Sequence, residues 1–470
     1  MQSIPDMAVK RRTFQVRPLS EPTTYPLLAH VDGDACLAWH RGKAILVYDF
    51  LASVRELVSR LPSKRHAINL CKDRYHFAVG FAASLVAGHI SLLPTCRAAE
   101  PLQRLSQRYP DAYILTDHDD IPADLPSYSI SNELRGTAQP ADIPPIPAER
   151  LAAVVFTSGS SGFPKAHAKS WGSLVKGAHA LCRQFGLGNK PERIAIGTVP
   201  AQHMYGLETT IMLPLQSGWS IHAGNPVLPA DLRSDLEQLR RPIWLMTTPV
   251  HLQAYKSQGM ALPGLEGIIS ATMPLALSLA REAERIWNVP VLEIYGCTEG
   301  GMIASRRTTE GESWNLCHGL RMRQDGESAW VTGGHVGECL QLSDRITMHN
   351  RREFMLLGPS YDLVKVAGKR ASLAALNSAL LRIQGVVDGT FYWPDQGRTG
   401  SGRLTAFVVA PGLDRSPLLA ELRKRIDPVF LPRPLRFVDA LPRTAMGKLP
   451  REQLDTFAAD LVGRDREPKE

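Results

Sequence analysis

Short apolar strands alternate with helical patterns over more than two hundred residues, and nothing else in the chain narrows its fold as much. "HAINL" (66–70), "AYILTD" (112–117), "AAVVFTS" (152–158), "RIAIGTV" (193–199), "IWLMTT" (243–248), "EGIIS" (266–270) and "VLEIYG" (291–296) are each too short for a buried helix. Phe50, Leu51, Val54, Leu57, Val58 and Leu61 recur at helical spacing near 47–61. Trp171, Leu174, Val175, Ala178 and Leu181 do so after the third of these strands. Such alternation implies a mainly parallel α/β architecture. Phe77 to Leu93, broken by Gly80, Gly88 and His89, reads as a buried helix running into a strand rather than as a membrane span. Between His118 and Glu149 the chain is rich in Pro, Asp and Ser, as a surface connection is. The texture changes after about Leu357, where a smaller unit holds "TAFVVA" and "LRFVDAL" as strands around a helix near 416–427. A chain of 470 residues exceeds one ordinary hydrophobic core, which agrees with two or three domains.

Charge and cysteine narrow the function classes. The formal net charge is +8, which suits an acidic partner such as a nucleotide or an acidic carrier protein. No basic run is interleaved with aromatics, so no nucleic-acid platform is expected. Seven scattered cysteines without a C-x-x-C pair argue against a disulfide framework or zinc site and for a reducing, cytoplasmic setting. The first residues contain no continuous apolar stretch of the signal-peptide kind. The tail "GRDREPKE" is expected to be disordered.

The chemistry is announced by "VVFTSGSSGFPKAHAKSW" (154–171), where a strand runs into glycines, serines, a proline and a lysine. Such a turn exposes backbone N–H groups and hydroxyls as an anion site, above all at a helix start, and the following helix around Trp171 fits that picture. It is not a Walker A loop. Counted from Gly159, the second glycine's place holds Pro164 and the residue after the lysine is Ala166.

The pattern T-S-G-S-S-G-x-P-K resembles the signature loop of the adenylate-forming superfamily, which includes acyl- and aryl-CoA synthetases. Four further stretches follow in that family's order. "YGCTEGG" (295–301) is similar to its Y-G-x-T-E motif, and "LSDRI" (342–346) stands where the family has T-G-D. "YDLVKVAGKR" (361–370) and "LPRTAMGKLPR" (441–451) resemble its two C-terminal segments. The resemblance implies a large N-terminal α/β adenylation domain over 1–358, a small mobile C-terminal α+β domain over 362–470, and a hinge near 359–362. It also implies an enzyme that joins a carboxylate to AMP, releases pyrophosphate and transfers the acyl group to a thiol, with ATP and Mg²⁺ as cofactors. A nucleotide-binding protein without ligase activity is the remote alternative, and it would have no need of a catalytic lysine.

Residue by residue, the resemblance gives Thr157, Ser158, Gly159, Ser160, Ser161, Gly162 and Lys165 to the phosphates of ATP. Tyr295 and Gly296 fall at the adenine, Thr298 at the α-phosphate, Glu299 at the metal and Asp344 at the ribose hydroxyls. Lys448 is the catalytic lysine that would bridge the attacking carboxylate and the α-phosphate as charge develops. His203, Tyr205 and Gly206 in "PAQHMYGLE" (200–208), with Ser270, Ala271 and Thr272 in "ISATMPLA" (269–276), fall at the acyl site, and His203 is counted with Lys448, Glu299 and Thr298 among the catalytic residues.

Two departures stand out. Pro359 occupies the place of the family's ribose arginine, which leaves Arg351, Arg352 or nothing to replace it, and Tyr361 stands at the hinge. Near "HMYG" no aspartate is placed for an amino group, so a plain carboxylic acid is expected. Residues 69–105 resemble stand-alone ligases of bacterial aryl-polyene pigment pathways, which implies a hydroxybenzoate-type aryl acid passed to an acyl carrier protein. Coenzyme A is the alternative acceptor. Arg423, Lys424, Arg425, Arg433 and Arg436 would offer such a carrier a basic surface.

Overall fold

The computed structural model describes residues 22–464 apart from 95, 121–124, 131–141, 158–164, 189–192, 240, 360–362, 367–368, 395–403 and 445–446. Two large sheets organise it. The first has six strands in the order Lys165–Ser170, Leu151–Thr157, Ile90–Leu93, His66–Asn69, Ala112–Thr116 and Ser127–Ser129. Its pairs are parallel except the first, where Lys165 faces Thr157 across an antiparallel ladder. The second sheet has eleven strands. Its centre is parallel and runs through Val291–Cys297, Leu265–Ser270, Ile243–Thr247, Ile194–Gly197 and Ser220–His222.

The central parallel strands Ile90–Leu93, Ala112–Thr116, Ile194–Gly197 and Ile243–Thr247 are buried along their length, so they read as unbroken apolar runs rather than alternating ones. The helix Arg74–Val86 shows the same cause. It is buried along nearly all its length, and Asp73 caps it by accepting from the N–H groups of Tyr75 and His76. Helix Trp171–Gln184 is capped by Ser170, whose hydroxyl accepts from Ser173 N–H.

One expectation fails next to the Gly/Ser loop. The chain does not pass from loop to helix but returns first as the strand Lys165–Ser170. "KAHAKS" has period 2: His167 and Lys169 turn inward and are buried, Ala168 between them faces out and is exposed, and Lys165, on the inward face, is exposed where the strand begins. The inward residues are polar, so a search for apolar alternation passes over this strand. The loop 158–164 lies outside the described residues.

The strand Glu353–Pro359 still belongs to the eleven-stranded sheet, whereas Leu363–Val366 pairs with Lys369–Ser372 in a sheet of its own. Asp388–Tyr392, Thr405–Val409 and Leu435–Phe437 form a further three-stranded sheet. The C-terminal part is not detached from the rest. One apolar cluster runs from Ile194, Leu245 and Leu279 to Leu376, Phe391 and Leu418. The Arg382 guanidinium is ion-paired with Glu312. The helix expected near 416–427 spans Arg415–Arg423.

Trp171, fully buried where the hairpin enters its helix, donates from its indole N–H to Tyr25 O at 3.3 Å. Trp171→Ala is expected to destabilise the protein by about 3–5 kcal/mol. A thermal melt of the purified variant checks this, and Trp171→Phe is expected to lose less because most of the ring volume remains.

Candidate active site

The site lies where strand ends of the two sheets meet. The strand Val291–Cys297 ends in a tight turn, Thr298–Gly300, and returns as Gly301–Arg307. A Cβ at Gly296 would fall 2.3 Å from the Gly301 carbonyl, so the close approach inside this turn requires glycine. Tyr295, one step earlier, packs its ring beside Trp314 and Phe354. Its hydroxyl donates to Asp344 Oδ2 at 2.8 Å. Burial raises the Asp344 carboxyl above its usual range, and the Tyr295 hydrogen bond opposes this. Burial and the neighbouring carboxylate together push the Tyr295 hydroxyl far up, so it remains a donor. The structure thus joins the adenine and ribose candidates, which lie 49 positions apart in the chain.

Glu299 sits on the turn with its side chain about a third exposed. Its carboxylate is 3.6 Å from His167 Nε2, and the same ring nitrogen is 3.0 Å from Thr157 Oγ1. Among the described residues no cluster of three or more His, Cys, Asp or Glu could hold a metal ion. Mg²⁺ is commonly held by one or two carboxylates and otherwise by phosphate oxygens and water. The partly exposed oxygens of Glu299 fit this role.

Asp344 begins a strand whose register sets Pro359 directly opposite it. The residue in the arginine's place therefore does lie beside the ribose candidate, but as a proline it has no donor to give. Arg351 and Arg352 do not substitute. They lie beyond the far end of this hairpin, roughly 13 Å of strand away at ~3.3 Å per residue, and Arg352 donates to Leu316 O at 2.7 Å.

On the acyl side, His203 precedes a single helical turn, Met204–Gly206, and a π-helical turn, Leu207–Met212. Tyr205 donates its hydroxyl to the carbonyl of Ile269 at 2.8 Å and lies 3.2 Å from that of Thr247. Its ring is thereby fixed against the ends of two central strands. Ser270, fully buried at the end of one of them, has a hydroxyl without a hydrogen-bond partner among the described residues. Thr272 follows at φ 80°, a strained position for a β-branched residue. Met273 then reaches the C-terminal part: a Cβ on Gly447 would lie 2.6 Å from Met273 Sδ, and Gly447 itself has φ 77°.

Lys448 therefore stands at this cleft on an exposed loop. The loop is held by Arg443, which makes paired bonds of 2.6 and 2.7 Å to Asp388 and donates to Gly447 O at 3.0 Å. Burial, and secondarily the charge of Lys448, lower His203 to about 4. A cavity of about 350 Å³ opens beside His203 and carries Lys72, Arg74 and Arg97 in its wall.

Three residues of this region went unnoticed in the sequence. Besides His167, Lys169 donates from its ammonium to the Glu299 carbonyl, and Glu208 accepts from Met302 N–H at 3.2 Å. Both are almost wholly buried. Burial lowers Lys169 and raises Glu208 to about 7, while each charge partly offsets the cost for the other. The signal was a lysine at an inward strand position and a glutamate in an otherwise apolar helical turn.

The comparisons with known proteins agree with this geometry. The AMP-binding enzyme family matches residues 64–339, more than half of the chain, and the chain belongs to that family. It is an AMP-forming acid–thiol ligase. A 4-coumarate–CoA ligase of Rhodobacter capsulatus is 33% identical over 307 residues, covering 64% of this chain and 75% of the relative. A benzoate–CoA ligase of Thauera aromatica is 24% identical over 344 residues, covering 64% of each chain. The solved structure of an anthranilate CoA ligase with anthranoyl-AMP superposes with a TM-score of 0.79 at 16% identity, over 94% of this chain and 99% of that one, which shows a common fold. No helix among the described residues is long and apolar enough to cross a membrane.

His203 is expected to stay neutral across the working range. Its folded value of about 4 lies below the ordinary 6.5, so it takes up a proton only as pH falls through about 4. Histidine ring NMR, compared with a His203→Asn spectrum for assignment, checks this; a midpoint near 6.5 would contradict the burial argument.

Proposed function

We propose that the chain activates an aromatic carboxylic acid as its acyl-adenylate and passes the acyl group to the thiol of coenzyme A. The observation that supports this is the Lys448 charge acting on buried His203, with Gly447 packed on Met273, beside the turn that carries Glu299 and follows the Tyr295–Asp344 hydrogen bond. A carboxylate oxygen attacks the α-phosphorus of ATP and pyrophosphate leaves. Two anions must be brought together, so cationic donors at the reacting phosphate dominate the catalysis. Lys448 supplies that charge, Thr298 and Lys165 contact phosphate oxygens, and Asp344 accepts from the ribose. Mg²⁺ held at Glu299 would neutralise phosphate charge. The phosphate loop Ser158–Gly162 completes the reading, although those residues lie outside the described ones.

Several features support an aromatic acid without an amino group. Tyr205 offers an aromatic wall and Ser270 an uncommitted hydroxyl. The nearest carboxylate in the "HMYGLE" stretch, Glu208, is turned to Met302 N–H and away from a substrate amine. The 4-coumarate and benzoate ligases among the relatives point the same way, and both are coenzyme A ligases.

The cavity beside His203, with exposed Lys72 and half-buried Arg97 at its wall, suits a phosphate-bearing thiol entering from outside. Transfer to an acyl carrier protein in a pigment pathway has less support. Of the basic residues that would form its docking surface, Lys424 and Arg425 are each ion-paired with Glu421 at 2.6 Å.

Pyrophosphate exchange into ATP across a panel of acids, followed by thioester formation with coenzyme A or holo carrier protein, tests the substrate and acceptor. Hydroxylated aryl acids and coenzyme A are expected to be fastest; faster exchange with long-chain fatty acids would overturn the acid, and faster transfer to carrier protein the acceptor.

Lys448→Ala is expected to lower adenylation by about 10²–10³-fold, the typical cost of one well-placed donor. It should still transfer the acyl group from supplied aryl-adenylate. Equal loss of both half-reactions in a folded variant would mean that Lys448 does not act on the first alone.

A further inference from the structure

We propose that the buried Lys169–Glu208 pair is a positioning device that clamps the turn carrying Glu299 from behind, and so sets the affinity of the site for metal-bound nucleotide. This rests on the reading of Glu299 as the carboxylate that meets the metal ion.

The two charges grip opposite ends of the turn. Lys169 donates to the carbonyl of Glu299, and Glu208 Oε1 accepts from the N–H of Met302, three residues on. The Met302 carbonyl is held in turn by His335 Nε2 at 2.7 Å. Between these anchors Gly301 has φ 70°, and a Cβ there would fall 2.2 Å from Glu208 Oε1. The turn and the glutamate are therefore fitted to one another at backbone contact. Lys169 comes from the six-stranded sheet, Glu208 from the π-helical turn and Glu299 from the eleven-stranded sheet, so the pair joins three separately packed elements.

Stability alone does not call for charges here. Both side chains are more than nine-tenths buried, and burying opposite charges gives little or no net stability over apolar residues of like volume. Charged donors and acceptors do hold a backbone group in a narrow range of directions. Two residues along the same strand face, His167 reaches the Glu299 carboxylate itself. One strand thus governs both the backbone and the side-chain oxygens of the residue that must meet the cation. Neither Lys169 nor Glu208 is placed in contact with substrate; both act through Glu299.

The test compares wild type, Lys169→Met, Glu208→Gln, the double variant Lys169→Met/Glu208→Met, and Glu299→Gln. Calorimetry gives the Kd of ATP with Mg²⁺ and with EDTA, a melt of the apo protein gives Tm, and pyrophosphate exchange gives kcat and the KM for ATP. Residues that orient a metal ligand typically change affinity by about 10–100-fold. Lys169→Met is expected to weaken binding of Mg²⁺·ATP by about tenfold or more, to leave binding in EDTA within about threefold, and to raise KM more than it lowers kcat. The double variant is expected to regain the wild-type Tm without regaining Mg²⁺·ATP affinity. Glu208→Gln, which keeps an acceptor for Met302, serves if the methionine variants do not fold; it is expected to show a smaller loss confined to Mg²⁺·ATP. A double variant, or failing that Glu208→Gln, that binds Mg²⁺·ATP as wild type does while Glu299→Gln does not overturns the clamp alone. Normal Mg²⁺·ATP binding by Glu299→Gln overturns the reading of Glu299 and the clamp with it.

Discussion

The ammonium of Lys169 leaves one sheet and ends on a backbone carbonyl of the other. Two sheets covered by helices can slide or twist against each other at modest cost, because apolar contact has no preferred direction. A site assembled from both needs something directional between them. Lys169 supplies it at the turn, which Glu208 and His335 brace at Met302, while the Tyr295–Asp344 hydrogen bond ties two strands within the larger sheet. The glycines of the turn follow from the same demand, since Gly296 and Gly301 are where backbone or carboxylate comes too close for a side chain.

Much of this was readable before any coordinates. The parallel strands were legible because burial on both faces leaves an uninterrupted apolar signature, and "IWLMTT" and "EGIIS" became Ile243–Thr247 and Leu265–Ser270. The strand Lys165–Ser170 was not, because its inward positions carry His167 and Lys169 for the site rather than for the core. Tyr295, Asp344 and Lys448 could be named from motif order, but no spacing says that a tyrosine hydroxyl binds an aspartate 49 positions on. Glu208 was invisible for a related reason. A glutamate in a helical stretch reads as solvated, and only the packing reveals that it faces a backbone amide in the interior.

Pro359 illustrates how a departure from pattern is absorbed. Its register opposite Asp344 is kept while its donor is lost. Asp344 retains the Tyr295 hydroxyl as its partner, and burial raises its proton affinity in place of a nearby guanidinium lowering it.

Arg443 has a consequence of its own. Asp388 and Gly447, the two groups it binds, both belong to the C-terminal part, as Lys448 does. The lysine loop is braced internally, and Gly447 packs on Met273 of the larger part. Its reach into the cleft is therefore not adjustable residue by residue; it is one coordinate, shared with everything else on that unit.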